Sequence, residues 1–312
     1  MGLRERTKEI ASYSLSVGVR EASKHYGLEQ SSVRREVRKF KEYHKFNKFG
    51  KPREPKALLL DIETSTMLVH VWGLRQNSKY ISTDSIEMDW IVLCWSGKWL
   101  CKGEHFGTVL TPQEATDRDD ERILREIWSL LDEADVVIMH NGVSFDRKKL
   151  NARFKIHGML PPSSYQVIDT CHQARHEFGF TSNQQGYLNK ILKLPEKKAT
   201  GYDLWLRCHR ADPEALAEMM NYCQHDVGGL EELYLSLRPW MVSHPNMALY
   251  GEMNNKCCHR CGSEDIEWGL EYATPMNIYD EYRCKECGGL GRNPKTSLTK
   301  AERSTLTRSV AR

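Results

Sequence analysis

The stretch "ALLLDIETST", residues 57–66, constrains the chain more than any other. A short apolar run ending in acids predicts a buried strand whose end breaks its own pattern. In a strand, residues i and i+2 point to the same side. Asp61 and Glu63 therefore project together from the end of a strand that is otherwise buried. Two carboxylates side by side repel one another unless a cation sits between them. A hard, oxygen-liganded ion such as Mg²⁺ or Mn²⁺ meets that need. A lone D-x-E is common, however, and an acidic strand end in solvent accounts for it equally well. The pair needs partners elsewhere in the chain.

Two further acids qualify. "HNGVSFDRKKL" places Asp146 just after the apolar run "DVVIMH", at the start of the next helix. "NYCQHDV" sets Tyr222 and Asp226 four residues apart, one above the other on a helix face. Singly, each has a plain structural role, Asp146 as a helix N-terminal acid and Asp226 as a solvated helix acid. Three such segments in this order are harder to explain that way.

Together the segments resemble the motifs of DnaQ-like 3′–5′ exonucleases, which share the ribonuclease H-like fold. "DIET" is similar to the first motif, D-x-E; "NGVSFD" to the second, N-x-x-x-F-D; and "YCQHD" to the third in its Y-x-x-x-D form. The alternative third motif, H-x-x-x-x-D, would need a histidine where Asn221 stands, so the resemblance is to the tyrosine (DEDDy) branch. It covers residues 57–238, and "VIDT" at 167–170 resembles a strand that recurs in the family. No polymerase domain accompanies it, so the resemblance is to a stand-alone enzyme of phage or bacterial type. It implies that Asp61 bridges two Mg²⁺ or Mn²⁺ ions, that Glu63 and Asp226 complete the first site, and that Asp146 supports the second. It implies that Tyr222 orients the attacking water, since a phenol with a pKa near 10 is a poor general base. Asn141 would contact the substrate strand or brace its loop, and the Thr64 backbone would touch the terminal nucleotide. Phe145 would stack on a base or fill the core, with the core favoured.

Around that centre the charge is uneven. Residues 1–56 carry 15 Lys/Arg against 7 Asp/Glu, and residues 288–312 carry 6 against 1. With a formal net charge of +3, this leaves −10 for residues 57–287. Basic ends around an acidic centre fit a polyanion gripped at the ends, and fit solvated tails as well. Residues 1–45 read as short helices broken at Gly27, a helix-turn-helix outline. Gln30, Ser31, Ser32, Arg34, Arg35 and Arg38 then lie on its recognition face, with Glu29 or Ser31 as N-cap; a plain basic hairpin has the same pattern. Residues 46–56, with two prolines, read as a linker. From residue 57 to 240, three strand-like segments ("ALLLDIET", "MLVHVWG", "WIVLCWSG") precede alternating helix and strand. That order predicts an α/β domain with a mixed sheet. Between the second and third motifs, Lys197, Lys198, Tyr202 and Trp205 either guide a single strand or make helix surface around a core tryptophan.

Five of the ten cysteines crowd into residues 257–287. Cys258-x-x-Cys261-Gly and Cys284-x-x-Cys287-Gly form two knuckles 22 residues apart, the spacing of a zinc ribbon. Four thiolates suit one Zn²⁺ in a closed, structural site. Cys257 leaves the register ambiguous, and His259 is a weaker candidate. The ribbon is expected over residues 250–292, with a basic tail at 293–312.

The sequence thus predicts a metal-dependent 3′–5′ exonuclease acting on DNA. Its rivals are an exoribonuclease trimming RNA and a sequence-specific DNA-binding regulator that uses the nuclease fold as a scaffold. Its partner is nucleic acid, with DNA favoured over RNA. No apolar run is long enough to span a membrane and the N-terminus has no secretory pattern, so the expected location is the cytoplasm.

Overall fold

A computed structural model describes residues 5–49, 55–73, 81–196, 200–250 and 256–307, with side chains at 6–40 of the first segment. The chain forms two compact units, one of residues 1–46 and 56–233, the other of 47–55 and 234–312.

The first unit begins with three helices, α1 (Glu5–Val17), α2 (Val19–Tyr26) and α3 (Gln30–Phe49). Gly27 ends α2 in the left-handed conformation (φ 60°), where its N–H and that of Leu28 bond back to the carbonyls of Lys24 and Ser23. Ile10, Ala22 and Val33 are the buried centre of the three. Glu29 is the residue before α3, and its carbonyl accepts from the N–H groups of Ser32 and Val33. Gln30, Ser31, Arg34, Arg35 and Arg38 are exposed, and Ser32 is half-buried.

Next come β1 (Ala57–Thr64), β2 (Leu68–Val69), β3 (Ile86–Met88), β4 (Val92–Trp99) and β5 (His105–Val109). Helices α4 (Pro112–Asp117) and α5 (Glu121–Glu133) lead to β6 (Val136–Met139), α6 (Asp146–Ile156), β7 (Gln166–Asp169) and α7 (Thr170–Glu177). The unit closes with α8 (Gln185–Ile191), α9 (Tyr202–His209) and α10 (Pro213–Leu237). The main sheet runs β5-β4-β1-β6-β7. β1 is antiparallel to β4 and parallel to β6, so the sheet is mixed, as expected. β1 is central because Leu58, Leu59 and Leu60 are all fully buried. Each contributes about 1.5–3 kcal/mol by burial, an upper bound for a compact unfolded chain.

Two sequence expectations fail here. "MLVHVWG" does not join the sheet; only the two-residue β2 forms, paired with β3 in a separate ribbon. The third antiparallel strand is instead β5, "HFGTV", whose glycine and polar residues mask its strand character. Gly107 is required there, because any Cβ would run into the Trp95 carbonyl and Met220. On α5 the buried face includes Trp128, whose indole N–H donates to the Leu160 carbonyl at 2.6 Å, while Leu130 is only half-buried.

The second unit holds an antiparallel ribbon of β8 (Ile266–Thr274), β9 (Asn277–Cys284) and β10 (Leu290–Arg292), then α11 (Lys300–Ser304). Thr299 and Glu302 close a capping box on α11. Among the described residues no helix is long and apolar enough to cross a membrane.

Candidate metal centres

The strand alternation acts as the sequence predicts. Leu60 and Ile62 enter the core, and Asp61 and Glu63 share the opposite face. The β1–β4 register shifts between Glu63 and Thr64, an irregularity of the kind that re-aims side chains beside active sites. Helix α10 brings Asp226 across. Oxygens of Asp61, Glu63 and Asp226 all lie within 4.8 Å of one another. Three carboxylates converging so closely form an all-oxygen donor set that fits Mg²⁺ or Mn²⁺.

Asp146 is not one of the three. It starts α6, is buried, and its Oδ1 accepts from the Ile62 N–H at 3.3 Å, between the two strand acids. Burial pushes its carboxyl up to about 7, offset in part by its backbone hydrogen bonds and raised further by Asp169. Tyr222 is buried one turn before Asp226 on α10, edge-on to Trp205 at 6.0 Å. Trp205 is half-buried against the core, whereas Tyr202 is exposed; Lys197 and Lys198 lie outside the described residues.

Asp169, at the end of β7, organises the second segment. Its carboxylate accepts the N–H groups of Asn141 (2.9 Å) and Val143 (3.0 Å), and caps α7 through Cys171 and His172 (3.1 Å each). Asn141 adopts φ 62°, and its carbonyl receives Ser144 and Phe145, so it braces the loop. Gly142 follows because a Cβ there would strike Met139. His140 is fixed by Thr170 and the Asn183 carbonyl, both at 2.9 Å. Phe145 is not in the core as expected. It is 38% exposed, because the tight turn that buries Asp146 leaves the preceding ring outside. Thr64 is half-buried at the strand end.

Two supports escaped the sequence reading. Cys223 donates to the Asp61 carbonyl (3.5 Å) and to Asp61 Oδ2 (3.6 Å). Gln185 Nε2 donates to the Asp226 carbonyl at 2.8 Å. The only forewarning was position: Cys223 adjoins Tyr222 in the third motif. His225 points elsewhere, to the Glu196 carbonyl at 2.8 Å.

In the second unit, the sulfurs of Cys258, Cys261, Cys284 and Cys287 cluster within 4.8 Å, with two pairs at 3.6 Å. Four thiolates at about 2.3 Å from Zn²⁺ would sit roughly 3.8 Å apart, so the set fits one tetrahedral ion. Gly262 (φ 79°) and Gly288 (φ 73°) turn the two knuckles, and each N–H bonds back to the carbonyl of the knuckle's first cysteine. Cys257 and His259 are outside the cluster; His259 Nδ1 bonds Tyr282 at 3.1 Å. A third group, Asp119, Glu121 and His157, has one exposed and two half-buried members, and His157 Nε2 already bonds buried Asp120 at 2.8 Å.

No curated protein matches the sequence. Residues 96–238 match the family model of the RNase_H superfamily, a span that includes Asp146, Tyr222 and Asp226 and begins after β1. With the five-stranded mixed sheet and the clustered acids, that match supports an RNase H-like, metal-dependent nuclease acting on nucleic acid.

Proposed function

We propose that this chain is a 3′–5′ exonuclease of the DEDDy type that hydrolyses phosphodiester bonds of DNA, in single strands or at 3′ ends. The observation that carries this is the convergence of Asp61, Glu63 and Asp226 within 4.8 Å, with Asp146 hydrogen-bonded to the backbone between the first two. Asp61, Glu63 and Asp226 would hold the first of two Mg²⁺ or Mn²⁺ ions, and Asp61 and Asp146 the second. Bound there, the ions supply hydroxide near neutral pH and stabilise charge on both oxygens of an in-line displacement.

The chain's own groups do the rest. Tyr222 orients the attacking water through its hydroxyl. Cys223 and the Ile62 N–H fix the angles of Asp61 and Asp146. Asn141 holds the loop that carries Phe145 to the surface, and the Thr64 backbone meets the terminal nucleotide. Gln30, Ser32, Arg34, Arg35 and Arg38 on α3 grip duplex DNA as the recognition side of a helix-turn-helix. Cys258, Cys261, Cys284 and Cys287 hold a structural Zn²⁺.

Matched DNA and RNA strands, labelled at the 5′ end and digested with Mg²⁺, test the proposal. A ladder shortening one nucleotide at a time on DNA is expected, and Asp61→Asn should abolish it. Faster shortening of RNA would make the protein an exoribonuclease. Tight binding of one DNA sequence without cleavage would make it a regulator on a nuclease scaffold.

A further inference from the structure

The insertion between β1 and β4 carries an apolar surface that the proposed chemistry has not used. Met67, Leu68, Val71, Trp72, Ile81 and Met88 are all exposed, Trp72 fully. They lie on or beside the β2–β3 ribbon, which pairs with no strand of the main sheet. Exposed apolar side chains gathered in one short segment mark an interaction surface.

Its position limits what it can touch. Met67 follows Glu63 by four residues, so even a fully extended chain keeps their backbones within about 14 Å. The ribbon's root is tied to the strand that bears the acids. Ser65 N–H donates to the Ile91 carbonyl (2.9 Å), and Ile91 N–H to Ser65 Oγ (3.0 Å). Arg118 clamps both sides of the root, donating to Ser65 Oγ at 2.9 Å and to the Asp89 carbonyl.

Trp90, next to Asp89 and Ile91 of the root, meets a cation from α6, the helix that Asp146 starts. Lys149 Nζ lies 3.6 Å above the Trp90 ring and 5.7 Å from that of Phe145, which precedes Asp146. Cations among aromatic rings suit a strand of bases and phosphates. The ribbon beyond them has a different chemistry. β2 and its flanks, residues 65–73, contain no Lys, Arg, Asp or Glu, and the one acid of β3, Glu87, is bonded to His70 across the ribbon; exposed apolar side chains of this kind unstack base steps when pressed against a duplex.

We propose that the β2–β3 ribbon is a wedge that stacks on the last base pair of a duplex and parts it. The freed strand then passes Trp90 and Lys149 to the carboxylates. This rests on the nuclease reading of that site, and the test separates the two. The full chain carrying Asp61→Asn is mixed, with Mg²⁺, with a duplex holding 2-aminopurine one pair from its 3′ end. Fluorescence should rise on binding, and adding Trp72→Ala with Met67→Ser should remove most of the rise. In the chain with Asp61 intact, the same two changes should lower the ratio of duplex to single-strand digestion at least tenfold. Trp72 is fully exposed, so Trp72→Ala alone checks the result without a risk to folding. An unchanged fluorescence rise, or an unchanged ratio, overturns the wedge. A chain that brightens 2-aminopurine but cuts nothing would retain the wedge and discard the nuclease.

Discussion

In the first unit, Asp61, Glu63 and Asp226 stand on a core of 28 buried residues, to which none of the three belongs. In the ribbon, the core cluster has four buried residues, and three of them are the proposed ligands Cys258, Cys284 and Cys287. The carboxylates are therefore like charges placed on a finished fold, whereas the thiols are the fold. A cluster of four residues is far too small to hold a ribbon by burial alone. On the proposed reading a metal has a different part in each place: in one it would perform chemistry, in the other it would complete a core.

The largest expected effect lies in the ribbon. Cys284→Ser removes a thiolate, and structural zinc in small domains contributes about 10–16 kcal/mol of apparent folding free energy. Limited proteolysis should then cut freely within residues 256–292 while leaving 56–233 intact. Protection of both regions would break the comparison. At the carboxylates, Asp61→Asn should lower digestion at least a thousandfold, about 4 kcal/mol in the barrier. The melting temperature of the first unit should hold or rise, because a repelling charge is gone; a melt several degrees lower would make Asp61 structural.

The third prediction concerns what holds the first unit instead of a metal. Arg153 makes two hydrogen bonds, of 2.8 and 2.7 Å, to Asp120, which is fully buried and also accepts the Val92 N–H at 2.9 Å. Arg153→Met takes the guanidinium from a fully buried carboxylate, leaving it only His157 and the Val92 N–H, and should cost about 3 kcal/mol, read as a lower urea midpoint for the first unit alone. The smallest effect belongs to Tyr222→Phe. Losing the hydroxyl proposed to orient water should lower kcat roughly ten- to a hundredfold with little change in stability. A loss as deep as that of Asp61→Asn would show the phenol doing more than orientation.

Much of this was legible because it depends on local periodicity. The strand alternation that pairs Asp61 with Glu63 and the helical spacing of Tyr222 and Asp226 are one-dimensional patterns, and so are the two C-x-x-C knuckles. What escaped depends on contacts between distant segments. Nothing in "VIDT" says that Asp169 will accept four N–H groups from two elements. Cys223 looks like any buried thiol until α10 lies against β1. The strand "HFGTV" was hidden because a central glycine is needed for close packing, and glycine carries no strand signal. "MLVHVWG" misled in the opposite way, since its apolar residues stay outside.

Hydrogen exchange of the full chain, stripped of metal and then restored with Zn²⁺ or Mg²⁺ separately, tests the central contrast most directly. The predicted result is that β1 and α10 keep their protection throughout, while β8 and β9 lose theirs without metal and regain it with Zn²⁺ alone. Loss of protection in β1 on stripping, or a ribbon that stays protected without metal, would contradict it.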